Sequence, residues 1–231
     1  MSLKTDIENK VNSYFNEPYE IEETKIVPST DYSKLTFGNK ALVSELAFLF
    51  ADIRKSSQLH TTYGFKTAAR IYQSFHDIAV RIIESKDGKV RAFDGDRVMG
   101  VFSGEYKCSN AAEAALKIKW AIVNILNPKL TTPLKVGMGV DFGKTMITKV
   151  GKGRDNNNND LVWIGKACNY ASHLSGYGSN SSLLTTRTYN KINKDSKYSD
   201  KGEDMWSPKK LTLKDNSIID VYESKFGWVV N

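Results

Sequence analysis

Residues 90–104 read Val90-Arg91-Ala92-Phe93-Asp94-Gly95-Asp96-Arg97-Val98-Met99-Gly100-Val101-Phe102-Ser103-Gly104. The pattern predicts two short strands, Val90–Phe93 and Val98–Phe102, joined by a tight Asp94-Gly95-Asp96 turn. Asp-Gly between alternating apolar residues is the strongest short-range hairpin signal. A turn needs one Asp and the Gly. The second carboxylate, Asp96, stands where the chain re-enters a strand, with Arg97 behind it.

A second strand ends the same way. Ala47–Ile53 is a nearly continuous apolar run with one carboxylate, Asp52, close to its end. A charge in such a run is costly to bury unless it is paired or bound to a metal. A lone Asp there could simply cap the following helix. Two strand-end carboxylates in one domain instead suit one or two Mg²⁺ or Mn²⁺ ions held against a triphosphate, because hard cations take oxygen ligands and phosphates complete the shell.

At 231 residues the chain is long enough for one well-packed domain. Residues 1–40 read as an N-terminal helix and extended lead-in, and 41–231 as the main domain. No apolar run approaches the ~18 residues of a membrane span. The start, MSLKTDIENK, lacks a signal-peptide core, so a cytoplasmic location is expected. Cys108 falls in a polar loop and Cys168 in a helical pattern, and neither belongs to a disulfide framework or a zinc cluster. A net charge of +7 suits an anionic partner. No arginine-rich run with interleaved aromatics appears, which argues against nucleic acid.

Apolar spacing places a helix over Met1–Phe15 and an irregular lead-in over Glu17–Gly38. A strand is expected from about Leu42 to Ile53, then a helix over Tyr63–Ser85 capped by Ser56-Ser57. The hairpin follows, then a helix over Ser109–Leu126 ended by Asn127-Pro128. Leu134–Val140 and Lys144–Val150 read as a hairpin around Asp141–Gly143, and Gly151–Asp160 as a flexible polar loop. Strands are expected at Leu161–Ile164, Ser182–Thr185 and Ile218–Tyr222, with a helix over Gly165–Gly176 and a loop over Asn190–Lys209. The order is an α+β, ferredoxin-like βαββαβ core, with helices on an antiparallel sheet. In that topology the first strand lies beside the hairpin, so Asp52 and Asp96 can meet.

These residues resemble the class III nucleotidyl cyclase catalytic domain from about Leu46 to Tyr222. The family's first metal motif is similar to Phe50-Ala51-Asp52-Ile53, and its second to Gly95-Asp96-Arg97-Val98-Met99-Gly100-Val101-Phe102. Val136–Gly143 resembles its small-residue strand, and Ile164–His173 its Asn-bearing helix. Lys214, eight residues before Tyr222, resembles its late lysine. The resemblance implies that Asp52 and Asp96 bind two Mn²⁺ or Mg²⁺ ions, with the Ile53 carbonyl assisting. It further implies that Asn169 orients the ribose, that Lys214 pairs with the triphosphate, and that the Arg54–Ser57 loop cradles phosphate oxygens. The chain would be a homodimer, each site taking its metal carboxylates from one copy and its Asn and Lys from the other.

Three positions depart from the family. The two that read a purine base, four residues before the second metal Asp and seven before the Asn, are Ala92 and Val162. Loss of both polar handles argues against ATP or GTP, because a hydrogen-bonding pocket is what discriminates strongly. His173 stands in place of the arginine that stabilises the pentavalent phosphate, a role Arg97 or Arg54 could take over. The run Arg91–Phe102, with the Val27-Pro28-Ser29 lead-in and the stand-alone small domain, resembles the pyrimidine cyclases of bacterial Pycsar anti-phage systems. That likeness implies CTP or UTP as substrate, a cyclic CMP or cyclic UMP product, and a separate effector that senses it. The alternatives are a purine cyclase with an atypical base pocket, or a non-catalytic nucleotide- or nucleic-acid-binding descendant. Asp94 reads as the turn residue, His60 and His76 as surface or helix-packing residues, and Trp120 as core or lid.

Overall fold

The computed structural model describes residues 2–151, 158–213 and 216–230. In chain order the elements are α1 (Leu3–Asn16), β1 (Glu20–Glu23), β2 (Lys40–Ile53), α2 (Leu59–Tyr63), α3 (Phe65–Ser85), β3 (Lys89–Asp94), β4 (Arg97–Phe102) and α4 (Lys107–Ala121). They continue with β5 (Val136–Gly151), β6 (Asn159–Ile164), α5 (Lys166–Tyr177), β7 (Ser181–Thr185), α6 (Thr186–Tyr189), α7 (Lys194–Lys197), β8 (Ser207–Thr212) and β9 (Ile218–Ser224). One sheet runs β3-β4-β2-β5-β7-β9-β8, with β1 added to β2 and β6 to β5.

The four strands of the βαββαβ unit pair antiparallel in the order β3-β4-β2-β5, as the sequence predicts. The whole sheet is nevertheless mixed, because β1 runs parallel to β2 and β7 parallel to β5. β7 reaches its place only after β6 and α5, and such a crossover returns the chain in the parallel sense.

β2 is buried on both faces, which is why it reads as an apolar run and not an alternation. Ala47, Leu49, Ala51 and Ile53 share one cluster with Ala68, Ile71 and Phe75 of α3 and with the apolar side of α4. Leu46, Phe48 and Phe50 pack on the other face with Ala167 and Ala171 of α5. The lead-in adds Leu35 to this second cluster and carries β1. α4 is buried almost all round because the C-terminal tail crosses it. The Trp228 N–H donates to the Leu116 carbonyl, and Lys119 Nζ donates to the Lys225 carbonyl.

Several local expectations are corrected. Asp141-Phe142-Gly143 does not turn: β5 is one 16-residue strand, paired with β2 from Val136 to Thr148. Asp141 is fully buried and accepts hydrogen bonds from the Thr185 and Thr188 hydroxyls and the Arg187 guanidinium. A residue type that favours turns is here the counter-ion of a side chain 46 positions away. Ser56-Ser57 caps no helix; Ser56–Gln58 is a 3₁₀ turn entered through Lys55 at φ 56°. The helix expected over Tyr63–Ser85 is found as α3, and Gly64, at φ 75°, separates it from the short α2 that the sequence did not announce.

Cys108 is not in a loop but in the first turn of α4, buried, with its thiol pushed up to about 12 by burial. That helix begins at Lys107, and Ile122–Leu126 continue it as a π turn. The stretch Asn190–Lys209, expected as loop, holds α7 and the start of β8. Of the polar loop at Gly151–Asp160, residues 152–157 lie outside the described residues.

Candidate active site

Asp52 lies at the end of β2 and Asp96 in the turn between β3 and β4. The β2–β4 register pairs Asp52 with Arg97, which brings the neighbouring Asp96 beside Asp52. Gly95 carries φ 59° and Asp96 does not share the positive sign, so the left-handed residue is the first of the two central ones, as a II′ hairpin requires. The Ile53 N–H donates to the Asp96 carbonyl at 3.3 Å and ties the turn to the end of β2.

Asp52 is only 8% exposed. Burial, and then the Asp96 carboxylate, push its pKa above the ordinary value, while Arg54 and Arg97 pull it back. Arg54 Nη2 stands 3.4 Å and Arg97 Nη2 3.7 Å from Asp52 Oδ2. The net direction is upward, so two arginines leave the buried charge undercompensated. This donor set fits a hard divalent cation: two neighbouring carboxylates, one of them buried, with the main-chain carbonyl of Ile53 beside them. Among the described residues no group of three or more His, Cys, Asp and Glu gathers, so the rest of a coordination shell would come from substrate oxygens and water.

α5 closes one side of the site. Arg54 Nη1 donates to the Gly176 carbonyl at 2.7 Å, and Arg97 Nη1 to the Ser172 hydroxyl at 3.2 Å. α5 comes this close because β5 presents glycine beneath it. A Cβ on Gly137 would stand 2.2 Å from Arg54 Nη2 and 2.4 Å from the Ser175 carbonyl oxygen. Beyond Arg54 a groove of about 380 Å³ opens, lined by Lys55, Tyr63, Thr132 and Lys135 among others. Its three cations, Arg54, Lys55 and Lys135, suit a polyphosphate.

No family model matches the chain. Full-length relatives do. A uridylate cyclase of Burkholderia cepacia is 33% identical over 236 residues, covering 100% of both chains. One of Xanthomonas perforans is 35% identical over 238 residues, again covering 100% of both. The chain belongs to the uridylate cyclase family. Among solved structures, the adenylyl cyclase CyaB from P. aeruginosa matches with a TM-score of 0.67 at 20% identity, covering 80% of this chain and 95% of that one. The guanylate cyclase domain of RhGC from Catenaria anguillulae, in complex with GTP, matches with a TM-score of 0.66 at 15% identity, covering 80% and 97%. These likenesses give the class III nucleotidyl cyclase fold.

Not every expected site residue of this uridylate cyclase family member meets Asp52. Asp96, Ile53, Arg54 and Arg97 do. Asn169 and His173 lie one turn apart on the exposed face of α5, opposite the buried Ala167, Ala171 and Leu174. Ala92 is half-buried beside Phe50 and Met99. Val162 is 40% exposed on β6, with β4, β2 and β5 standing between it and Ala92's strand. Lys214 lies outside the described residues. Sequence reasoning missed Ser172 and Gly176, which hold the arginines, and the spacing role of Gly137. The signal for Gly137 was there, in the glycines of Val136-Gly137-Met138-Gly139. Nothing local marked Ser172.

Proposed function

We propose that this protein converts UTP to 3′,5′-cyclic UMP and pyrophosphate. The observation that carries the proposal is the pairing of Asp52 with Asp96 at adjacent strand ends, one carboxylate buried and undercompensated. The choice of UTP over CTP follows the names of the full-length relatives. The apolar Ala92 and Val162 support a pyrimidine, since neither offers a hydrogen bond to a purine edge.

Asp52, Asp96 and the Ile53 carbonyl hold two divalent ions, Mn²⁺ or Mg²⁺. Bound there, these supply Lewis acidity that lowers the pKa of the ribose 3′-hydroxyl and neutralises phosphate charge. The 3′-oxygen attacks the α-phosphorus, the bond from that phosphorus to the bridging oxygen breaks, and pyrophosphate departs. The hydroxyl proton passes to solvent. Arg54 and Lys214 bind the triphosphate, Asn169 orients the ribose, and Arg97 or His173 meets the charge that develops on the α-phosphate.

The acting species is a homodimer with its sites between subunits. Asn169 and His173 support this, because side chains turned away from their own sheet are placed to serve a nucleotide on another copy. Residues 41–231 form the catalytic domain, with 1–40 as helix and lead-in. The protein works in the cytoplasm, without nucleic acid or membrane, and its cyclic product signals phage infection to a separate effector protein. Among the described residues no helix is long and apolar enough to cross a membrane.

Purified protein with Mn²⁺ and UTP should release cyclic UMP, and Asp96→Asn should abolish it. Equal product from the variant would refute the assignment of the carboxylates.

A further inference from the structure

We infer that His76 is a positioning residue, which fixes the Gly95–Asp96 turn so that Asp96 stands ready to share a cation with Asp52. The inference rests on the proposed role of those two carboxylates.

The two central residues of a short hairpin loop lie outside the β-ladder, so their carbonyls bond to water or to groups from elsewhere in the fold. Here both have such a group. The Asp96 carbonyl accepts from the Ile53 N–H, and the Gly95 carbonyl lies 2.9 Å from His76 Nε2. A carbonyl only accepts, so Nε2 carries the proton and donates it. The turn that bears Asp96 is thus held at two successive carbonyls, once from β2 and once from α3.

The ring packs against two other aromatic rings. His76 follows Phe75, a fully buried residue of α3, and packs edge-on against it with centroids 5.2 Å apart. On its other side Phe93 of β3 stands at 5.0 Å and 90°. Nδ1 is buried and has no hydrogen-bond partner among the described residues. A buried unpaired nitrogen is unfavourable, and a phenylalanine would fill the same space without one. The polar ring is kept despite this cost, and its polar contact is with the turn.

The turn needs holding. Two carboxylates brought together repel each other, most strongly where one is buried. The hairpin tip itself offers little restraint: Phe93 is 57% exposed, and the β3–β4 register shifts between Val90 and Ala92. Without the His76 bond the tip can relax outward and carry Asp96 from its partner. Groups that orient metal ligands typically govern affinity by 10–100-fold, and an effect of about 10-fold is expected here.

The test compares His76→Phe, which keeps the ring and drops the donor, with His76→Gln, which drops the ring and keeps a donor of similar reach. Mn²⁺ affinity is read directly by electron paramagnetic resonance in the presence of α,β-methylene-UTP. In parallel, activity on UTP is titrated with Mn²⁺. His76→Phe should bind Mn²⁺ about 10-fold more weakly, with kcat recovering at saturating Mn²⁺, and His76→Gln should stay close to wild type. Unchanged Mn²⁺ affinity in His76→Phe would overturn the inference. So would His76→Gln impaired more than His76→Phe, which would mean that the ring serves packing alone. Should His76→Phe fold poorly, His76→Met carries the same contrast with His76→Gln. If the wild type makes no cyclic nucleotide, the cyclase proposal fails, while the resonance titration still decides the role of His76.

Discussion

Gly139 of β5 lies so close under Ala171 of α5 that a Cβ on it would stand 2.2 Å from the Ala171 carbonyl oxygen and 2.4 Å from the Ser175 nitrogen. Main chain packs on main chain there, and the obstacle is not a side chain that can swing aside. Gly139→Ala must therefore lift α5, and with it Ser172 and Gly176, off the arginines at Asp52. Overpacking of this kind costs about 1–3 kcal/mol or more. For a domain of this size each kcal/mol lowers Tm by about 2–4 °C. Calorimetry should show that loss together with a fall in cyclase activity; a variant with wild-type Tm would mean that α5 sits more loosely than described.

Asp52 should be a residue whose removal stabilises the metal-free protein. Its folded pKa is raised, chiefly by burial and by Asp96. Such a group favours the fold below the ordinary carboxylate pKa, and that contribution is lost as pH rises through the raised value. Asp52→Asn removes the penalty, so without added metal the variant should melt above wild type at neutral pH. A gain of about 1 kcal/mol is expected, the common size of such active-site trade-offs. The gap should narrow as pH falls through the raised value and wild-type Asp52 takes up its proton. Melting curves from pH 4 to 7.5 check this, and a variant less stable than wild type at pH 7 would contradict it.

Arg187 should matter to stability through Asp141. The guanidinium grips both carboxylate oxygens of a fully buried Asp141. Removing one partner of such a pair strands a buried charge, at about 3–5 kcal/mol. Arg187→Met should cost less than that, because Arg187 is 43% exposed and the Thr185 and Thr188 hydroxyls still donate to Asp141. The double variant Asp141→Leu/Arg187→Met should recover much of it, since paired removal leaves no orphan charge. Denaturant unfolding measures both, and equal losses in the two would refute the argument.

The proposed dimer makes a complementation prediction. Asp96→Asn and Asn169→Ala chains should each be inactive, and mixing them after unfolding and refolding should restore activity. Half of the dimers are then mixed, and each holds one intact site, so about one quarter of wild-type activity is expected. No recovery would mean that Asp96 and Asn169 act within one chain.

The fold was legible wherever period and burial coincide. Tyr63–Ser85 repeats its apolar residues at helical spacing, and β2 is an apolar run because both of its faces are covered. Asp52 and Asp96 stood out because a carboxylate at the end of an apolar strand demands a reason. Asp141 misled for a physical cause. Asp and Gly favour turns by local chemistry, whereas the partner that keeps Asp141 inside the sheet, Arg187, is remote in sequence. His76 escaped notice likewise, since a histidine on a helix shows its role only once the Gly95 carbonyl is folded against it. Gly137 and Gly139 were visible as a motif, but the helix that needs them, α5, follows only after the rest of β5 and β6.

The most direct measurement is to incubate the purified protein with Mn²⁺ and, separately, UTP, CTP, ATP and GTP, and to identify the products by mass, with Asp96→Asn alongside. The account predicts cyclic UMP as the main product and its disappearance in the variant. A cyclic purine nucleotide as the main product, or no cyclic product from any of the four, would contradict it.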